Sequence, residues 1–308
     1  LGRGIWLWNL QQIQLQAPAD NVVDLMSVKI RKLHSKTQEL VKLASCIGNR
    51  FELGMLAAVS EHAELDILDA LREAVAEGLM LALGTVSRRG NDENVEPDGA
   101  LPLEFAFSHD RIQQATYELI PDSERPALHL RIGRILRARN GFSENSENLF
   151  QVVDHFNSAW QCLEDDAERF ELAELNLKAG KRSRAATAQQ AALRYFNLGI
   201  ALLHETRWQR HYETALELHL QAAEAAYLCA DFETCERYCR EVMENAQGDL
   251  DKVKAYDVRI HSCIAQYEMV EAVRTTATAL GLLGVHMPER PSRAGIVLAV
   301  LKTKLTLW

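Results

Sequence analysis

The sequence predicts a mainly α protein in two parts: a helical unit that carries one β-hairpin, followed by an array of paired helices. Three observations carry this reading. Apolar residues recur at three- and four-residue spacing through most of the chain. That period breaks once, where Leu79, Leu81 and Leu83 alternate with polar neighbours, and Leu103, Phe105 and Phe107 do the same after a gap. Beyond residue 148, small residues return at matching places in successive helix pairs.

The first helix is expected from Asn21 to Leu33, with Val22, Met26, Ile30 and Leu33 on one face and Asp20 as its N-cap. A second carries Leu40, Leu43, Ala44 and Ile47 and stops near Gly48. Two more are expected around Leu53 to Ser60 and around Glu64 to Ala76, with Gly78 closing the run. Two antiparallel strands follow, joined by the polar, turn-rich stretch SRRGNDENVEPDG. In FAFSHDRIQQATYELIP the alternation ends at Ser108 and a helix begins at once, with Ile112, Ala115, Thr116 and Leu119 on one face and Pro121 at its end. The next helix turns Leu128, Ile132, Ile135 and Leu136 to one side. Helices, then a hairpin, then a helix is a winged-helix-like order, spanning roughly residues 20–139. The Asn- and Ser-rich stretch RNGFSENSEN reads as a boundary loop.

The second part reads as a TPR-like array, in which small residues sit where paired helices touch. Gly180, Ser183, Thr187, Ala192, Phe196 and Gly199 align with Ala223, Ala226, Ala230, Cys235, Cys239 and Val242. They align again with Ile260, Cys263, Tyr267, Ala272, Thr276 and Ala279. The spacing of Ala192, Cys235 and Ala272 is slightly long for a 34-residue unit. Arrays of this kind bury a core shared between neighbours and present a concave face to protein partners.

Composition narrows the function. The chain has 308 residues, 47% hydrophobic and 25% charged, which is globular and long enough for two domains. A net charge of −9 disfavours a dedicated nucleic-acid binder, since phosphate affinity depends on excess Lys and Arg. The six cysteines are scattered without the framework of a secreted domain, which suits a reducing, cytoplasmic setting. No leader or membrane span is read: the best apolar run, Gly295 to Leu301, is short and followed by Lys302 and Lys304. The chain begins at Leu1 and stops at Trp308 inside an apolar run, which reads as a piece of a longer polypeptide.

No phosphate loop, G-x-G-x-x-G, G-x-S-x-G or H-E-x-x-H motif occurs, so no catalytic residue and no bound cofactor or metal is expected in this segment. Cys229, Cys235, Cys239, His261 and Cys263 could suggest a metal cluster, but Cys235 and Cys239 fall on the small-residue packing positions and read as core. Arg131, Arg134, Arg137 and Arg139 place a basic stripe on one helix, open to a DNA reading or to an acidic neighbour. His109 and Asp110 are the candidate site. Locally, Ser108 would cap the helix, Asp110 would suit its dipole and His109 would pack near the wing. Functionally, His109 would donate to a nucleotide phosphate held by a neighbouring domain, since helix N-termini favour anions.

The stretches DNVVDLMSVKIRKL, TQELVKLASCIGNRFEL, LEFAFSHDRIQQATYELIP, HLRIGRILR, ELAELNLKAGKRSRAATAQQAALRYFNLGIALL and DKVKAYDVRIHSCIAQYEMVEAV together resemble the middle of large bacterial signalling proteins. Those join a serine/threonine-kinase-like domain, a STAND-type AAA ATPase, helical repeats and a sensor histidine kinase. The resemblance implies a linker from a preceding ATPase core over residues 1–19, a winged helix over 20–139 and TPR-like repeats over 140–308. It implies ATP or ADP with Mg in the neighbouring ATPase domain, with all catalytic centres outside this chain. Related switches carry Met-His-Asp at the same strand-to-helix seam, where the histidine contacts the β-phosphate of ADP. Ser108, His109 and Asp110 match that motif, with Ser in place of Met. The partners implied are other domains of the same polypeptide and a protein on the repeats. The rivals are a STAND-type transcription regulator with its winged helix on DNA, and a plain scaffold.

Overall fold

The computed structural model describes residues 22–86, 101–139, 148–203, 207–287 and 293–306. The fold is mainly helical, with one small sheet, and divides at Asn140 into two compact units. The expected N-cap Asp20, the loop between the long strands and most of the expected boundary loop lie outside the described residues.

In the first unit, α1 (Val22–Ile30), α2 (Ser35–Ile47), β1 (Arg50–Glu52), α3 (Leu53–Ser60) and α4 (Glu64–Ala76) precede β2 (Met80–Val86) and β3 (Leu101–Phe107). Then come α5 (Asp110–Glu118) and α6 (Arg125–Ala138). The core is built from the expected helical faces: Leu40, Ala44 and Ile47 of α2, Leu56 of α3, Leu71 of α4 and Ile132 of α6 are all buried. α1 packs against α5.

The sheet holds three strands, not two, in the order β1-β3-β2 with both pairings antiparallel. β1 has three residues and buries one of them, Phe51, which faces Phe105 across the ladder. So short a strand leaves no alternation to read in the sequence. Its stabilisation is tertiary: the Phe51 ring stacks on Phe105 at 6.0 Å, and Arg50 pairs with Glu104. α5 ends at Glu118, two residues short of the end its apolar pattern and Pro121 imply. Ile120, in the following turn, is therefore buried, while Leu119 is only half-buried.

The second unit opens with α7 (Leu149–Asn157) and continues as three helical hairpins, a TPR-like array. They are α8 (Asp166–Ala185) with α9 (Gln189–Leu202), α11 (Tyr212–Leu228) with α12 (Phe232–Asn245), and α13 (Asp249–Ala265) with α14 (Met269–Leu282). The short α10 (Arg207–Arg210) precedes the second hairpin, and α15 (Arg293–Thr306) follows the third. Each hairpin packs on the next through α9 with α11 and α12 with α13.

The three hairpin turns are alike. Thr187, Ala230 and Tyr267 each adopt the left-handed conformation, with φ of 62°, 60° and 62°. The next residue then returns its N–H to a carbonyl five back: Ala188 to Ser183, Asp231 to Ala226 and Glu268 to Cys263, each at 2.9 Å. This is the Schellman closure, here made without glycine.

Packing inside the first hairpin depends on one close approach. A Cβ on Gly180 would lie 2.3 Å from Phe196, so only glycine lets that ring rest on the α8 backbone. The matching pairs are Ala223 with Cys239, and Ile260 with Thr276. Both of these second-helix residues are smaller than Phe196, and both first-helix residues are larger than Gly180.

Candidate functional site

The strand-to-helix seam is fixed from both sides. Phe107 N–H donates to the Asn49 carbonyl at 2.9 Å, and Ser108 N–H donates to the Leu79 carbonyl at 3.0 Å. The Ser108 hydroxyl donates to the Gly78 carbonyl at 2.7 Å and lies 3.2 Å from that of Leu79. Ser108 therefore does not cap α5. It ties the end of β3 to the turn before β2, and the expectation of a serine cap is corrected.

The cap is His109. It has extended backbone, with φ of −158° and ψ of 143°, and its Nδ1 accepts the Arg111 N–H at 3.1 Å. The imidazole thus satisfies one of the free donors at the helix start, a task usually left to Ser, Thr, Asp or Asn. Nδ1 must be unprotonated to accept, so the ring hydrogen sits on Nε2. His109 is exposed, and its Nε2 has no hydrogen-bond partner among the described residues. Asp110 occupies the first turn, where its charge complements the helix dipole. Arg111, beside it, donates to Gln114 Oε1 at 3.1 Å. The seam thus presents an outward N–H donor held at a fixed angle by a backbone contact.

Behind the seam lies a polar cluster that the sequence pattern does not reveal. Tyr117 on α5 and the buried His129 on α6 meet at 2.9 Å between Oη and Nε2. Arg125 lies over the Tyr117 ring at 4.7 Å. Burial, and secondarily the Arg125 charge, push the His129 pKa below its ordinary value. Burial raises the Tyr117 phenol and pushes the Cys46 thiol up to about 11. Tyr117 and His129 are thus favoured in their neutral forms, and their hydrogen bond ties α5 to α6. No sequence signal pairs Tyr117 with His129, because the turn at Pro121 separates their helices.

The arginine stripe on α6 is engaged. Arg131 pairs with Glu61 and Arg139 pairs with Glu52 at 2.7 Å. Arg134 and Arg137 also have interaction partners. Much of this charge is spent on acidic residues at the ends of α3, the alternative already open in the sequence.

Cys235, Cys239 and Cys263 are buried in the array, and all six cysteines are free. Among the described residues no group of His, Cys, Asp and Glu could hold a metal ion. A second polar centre does appear. His219 is fully buried, with Nδ1 2.6 Å from the Ala215 carbonyl and Nε2 3.0 Å from Glu241 Oε2. Arg207 donates to the same carboxylate oxygen at 3.2 Å. The His219 hydrogen bond, then its charge and Arg207, lower the Glu241 pKa against the opposing effect of burial. The centre joins α10, α11 and α12. Neither His219 nor Glu241 stands out in the sequence, because each occupies an ordinary helical position.

No family model matches the chain. The chain is 26% identical over 312 residues to hybrid signal transduction histidine kinase G of Dictyostelium discoideum, covering 84% of this chain and 9% of that protein. It therefore corresponds to less than a tenth of that relative's length. Among solved structures, a Signal Transduction ATPase with Numerous Domains (STAND) protein with a tetratricopeptide repeat sensor from Pyrococcus horikoshii aligns with a TM-score of 0.40 and 15% identity. That alignment covers 87% of this chain and 41% of the other. Among the described residues no helix is long and apolar enough to cross a membrane.

Proposed function

We propose that this chain is a non-catalytic transmission segment of a larger signalling protein in which an ATPase module controls a histidine kinase. Residues 20–139 act as a winged helix that reads the nucleotide state of a neighbouring ATPase core. Residues 140–308 bind a protein partner or another domain of the same polypeptide. The setting is cytoplasmic, and ATP or ADP with Mg belongs to the neighbouring core. The similarity to a signal transduction histidine kinase supports this setting. The element order α2-β1-α3-α4-β2-β3-α5 supports the winged-helix reading, since helices come first, a hairpin follows and a helix begins directly after it.

The observation that carries the proposal is the His109 ring. Its Nδ1 is fixed by the Arg111 N–H, so Nε2–H faces outward as a donor of set direction. A β-phosphate brought to that seam meets the donor with Asp110 and the start of α5 behind it. Binding energy on the helical array then shifts the equilibrium between closed and open states, provided the partner prefers one of them.

The test is the ADP dissociation rate in the protein that contains the ATPase core. His109→Asn supplies a capping oxygen but lacks the imidazole N–H, so its expected effect is faster ADP release with an intact fold. An unchanged rate discards the phosphate contact. The DNA-binding rival is separated by duplex binding to residues 1–308: salt-dependent affinity would favour it, and the paired state of Arg131 and Arg139 speaks against it.

A further inference from the structure

His219 is fully buried on α11, and both of its ring nitrogens face acceptors. Nδ1 lies 2.6 Å from the Ala215 carbonyl on its own helix, and Nε2 lies 3.0 Å from Glu241 Oε2 on α12. A neutral imidazole carries one N–H and one bare lone pair. With the hydrogen on Nδ1, the lone pair of Nε2 would press on a carboxylate oxygen. With the hydrogen on Nε2, the lone pair of Nδ1 would press on the carbonyl. Both contacts are made together only by a doubly protonated ring, or by a Glu241 that itself carries a proton.

The surroundings choose between these two. Arg207 of α10 donates to the same Oε2 at 3.2 Å, and an arginine at that distance favours the ionised carboxylate. A charged ring out of water is costly unless it is paired, and the carboxylate supplies the pair. The Trp208 ring, 4.8 Å away, adds a π-system that favours a cation. Tyr238 of α12 meets the imidazole edge-on at 5.6 Å, but its Oη donates to Asn197 of α9 at 2.8 Å and Arg237 lies over its ring. It therefore does not compete for the ring nitrogens. Charges on the other helices packed against α11 are paired elsewhere. Lys181 and Arg184 of α8 meet Glu217 and Glu224, and Lys254 of α13 meets Asp251.

We infer that His219 is an imidazolium and that its two ring hydrogens form a pH-sensitive clasp joining α10, α11 and α12. The clasp is closed while Glu241 is ionised and His219 is charged. It opens on the acid side as Glu241 takes up a proton. It opens on the alkaline side as His219 gives one up, because whichever nitrogen is bared then faces an oxygen lone pair. The short α10 follows the first hairpin and precedes the second, so the proton sets how firmly α10 is held to the second hairpin. The inference rests on the array alone and is independent of the nucleotide reading.

The test uses the 308-residue chain with its histidines labelled with nitrogen-15. Ring-nitrogen NMR is expected to show two N–H groups on His219 at about pH 5 and one bare nitrogen by about pH 8. One N–H throughout overturns the imidazolium, and two throughout overturn the pH sensitivity. Glu241→Gln, which removes the paired charge, is expected to bare a ring nitrogen at a lower pH than in the parent. The same course in both overturns the pairing. Hydrogen exchange of the parent reads the clasp without any substitution. As the ring loses its hydrogen, the amides of α12 around Glu241 are expected to exchange about tenfold faster relative to those of α14, and an unchanged ratio overturns the proposal.

Discussion

The Nδ1 atom of His109 accepts the backbone N–H of Arg111 at 3.1 Å, which makes an imidazole the cap of α5. His109→Ala is expected to lower the stability of the first unit by about 1 kcal/mol through loss of that cap. His109→Asn is expected to restore most of it. Urea unfolding of both variants checks this, and equal losses would show that the ring contributes by packing instead.

The left-handed residues at the three hairpin turns lead to a prediction of the opposite sign. Thr187, Ala230 and Tyr267 each carry a Cβ where glycine would be unstrained. Replacement by Gly is expected to stabilise the array despite the added freedom of the unfolded chain. The gain is about 1 kcal/mol at Thr187, where the side chain is β-branched, and about 0.5 kcal/mol at Ala230. Denaturation midpoints that fall instead would show that these side chains make contacts worth more than the strain.

Gly180 and Phe196 form a pair whose volumes are matched to one another. Gly180→Ala is expected to cost about 1–3 kcal/mol by overpacking. Adding Phe196→Cys recreates the Ala223 and Cys239 combination of the next hairpin and is expected to recover part of the loss. A double-mutant cycle measures the coupling, and simple additivity would argue against the shared register.

Glu241 links stability to pH. Its folded pKa is lowered, first by the hydrogen bond from His219, so its contribution is fully present above the unfolded carboxylate value of about 4.3 and fades as the pH falls through the lower folded value. Glu241→Gln is expected to cost about 2 kcal/mol near neutral pH, by weakening the contacts to His219 and Arg207. The gap between variant and parent should narrow below about pH 4. A gap independent of pH would mean that the carboxylate charge is not what holds the centre together.

The helices and the repeat register were readable because burial imposes a period and because the small residues recur. Thr187, Ala230 and Tyr267, aligned from sequence alone, do occupy one turn geometry. β3 was readable for the same reason, through the buried Phe105 and Phe107, while β2 does not keep the expected alternation: Met80 is buried and Leu81 exposed. β1 was not, because Phe51 stacking on Phe105 is a contact between distant parts of the chain that leaves no local pattern. The seam was legible as a position but not in its chemistry. The sequence named Ser108 as the cap because serine is the commoner choice, while the fold had committed its hydroxyl to the Gly78 carbonyl. The His219 and Glu241 contact stayed hidden, since both residues sit on helices whose mutual rotation is set by the packing of their neighbours.

The match of Gly180 to Phe196 makes the first hairpin specific for itself. A chimera that joined α13 to α9 would set Ile260, at the aligned position of Gly180, against the Phe196 ring. Insertions, losses and recombination in such a chain can therefore succeed only in whole hairpins, and half-unit exchanges should be rare among its descendants.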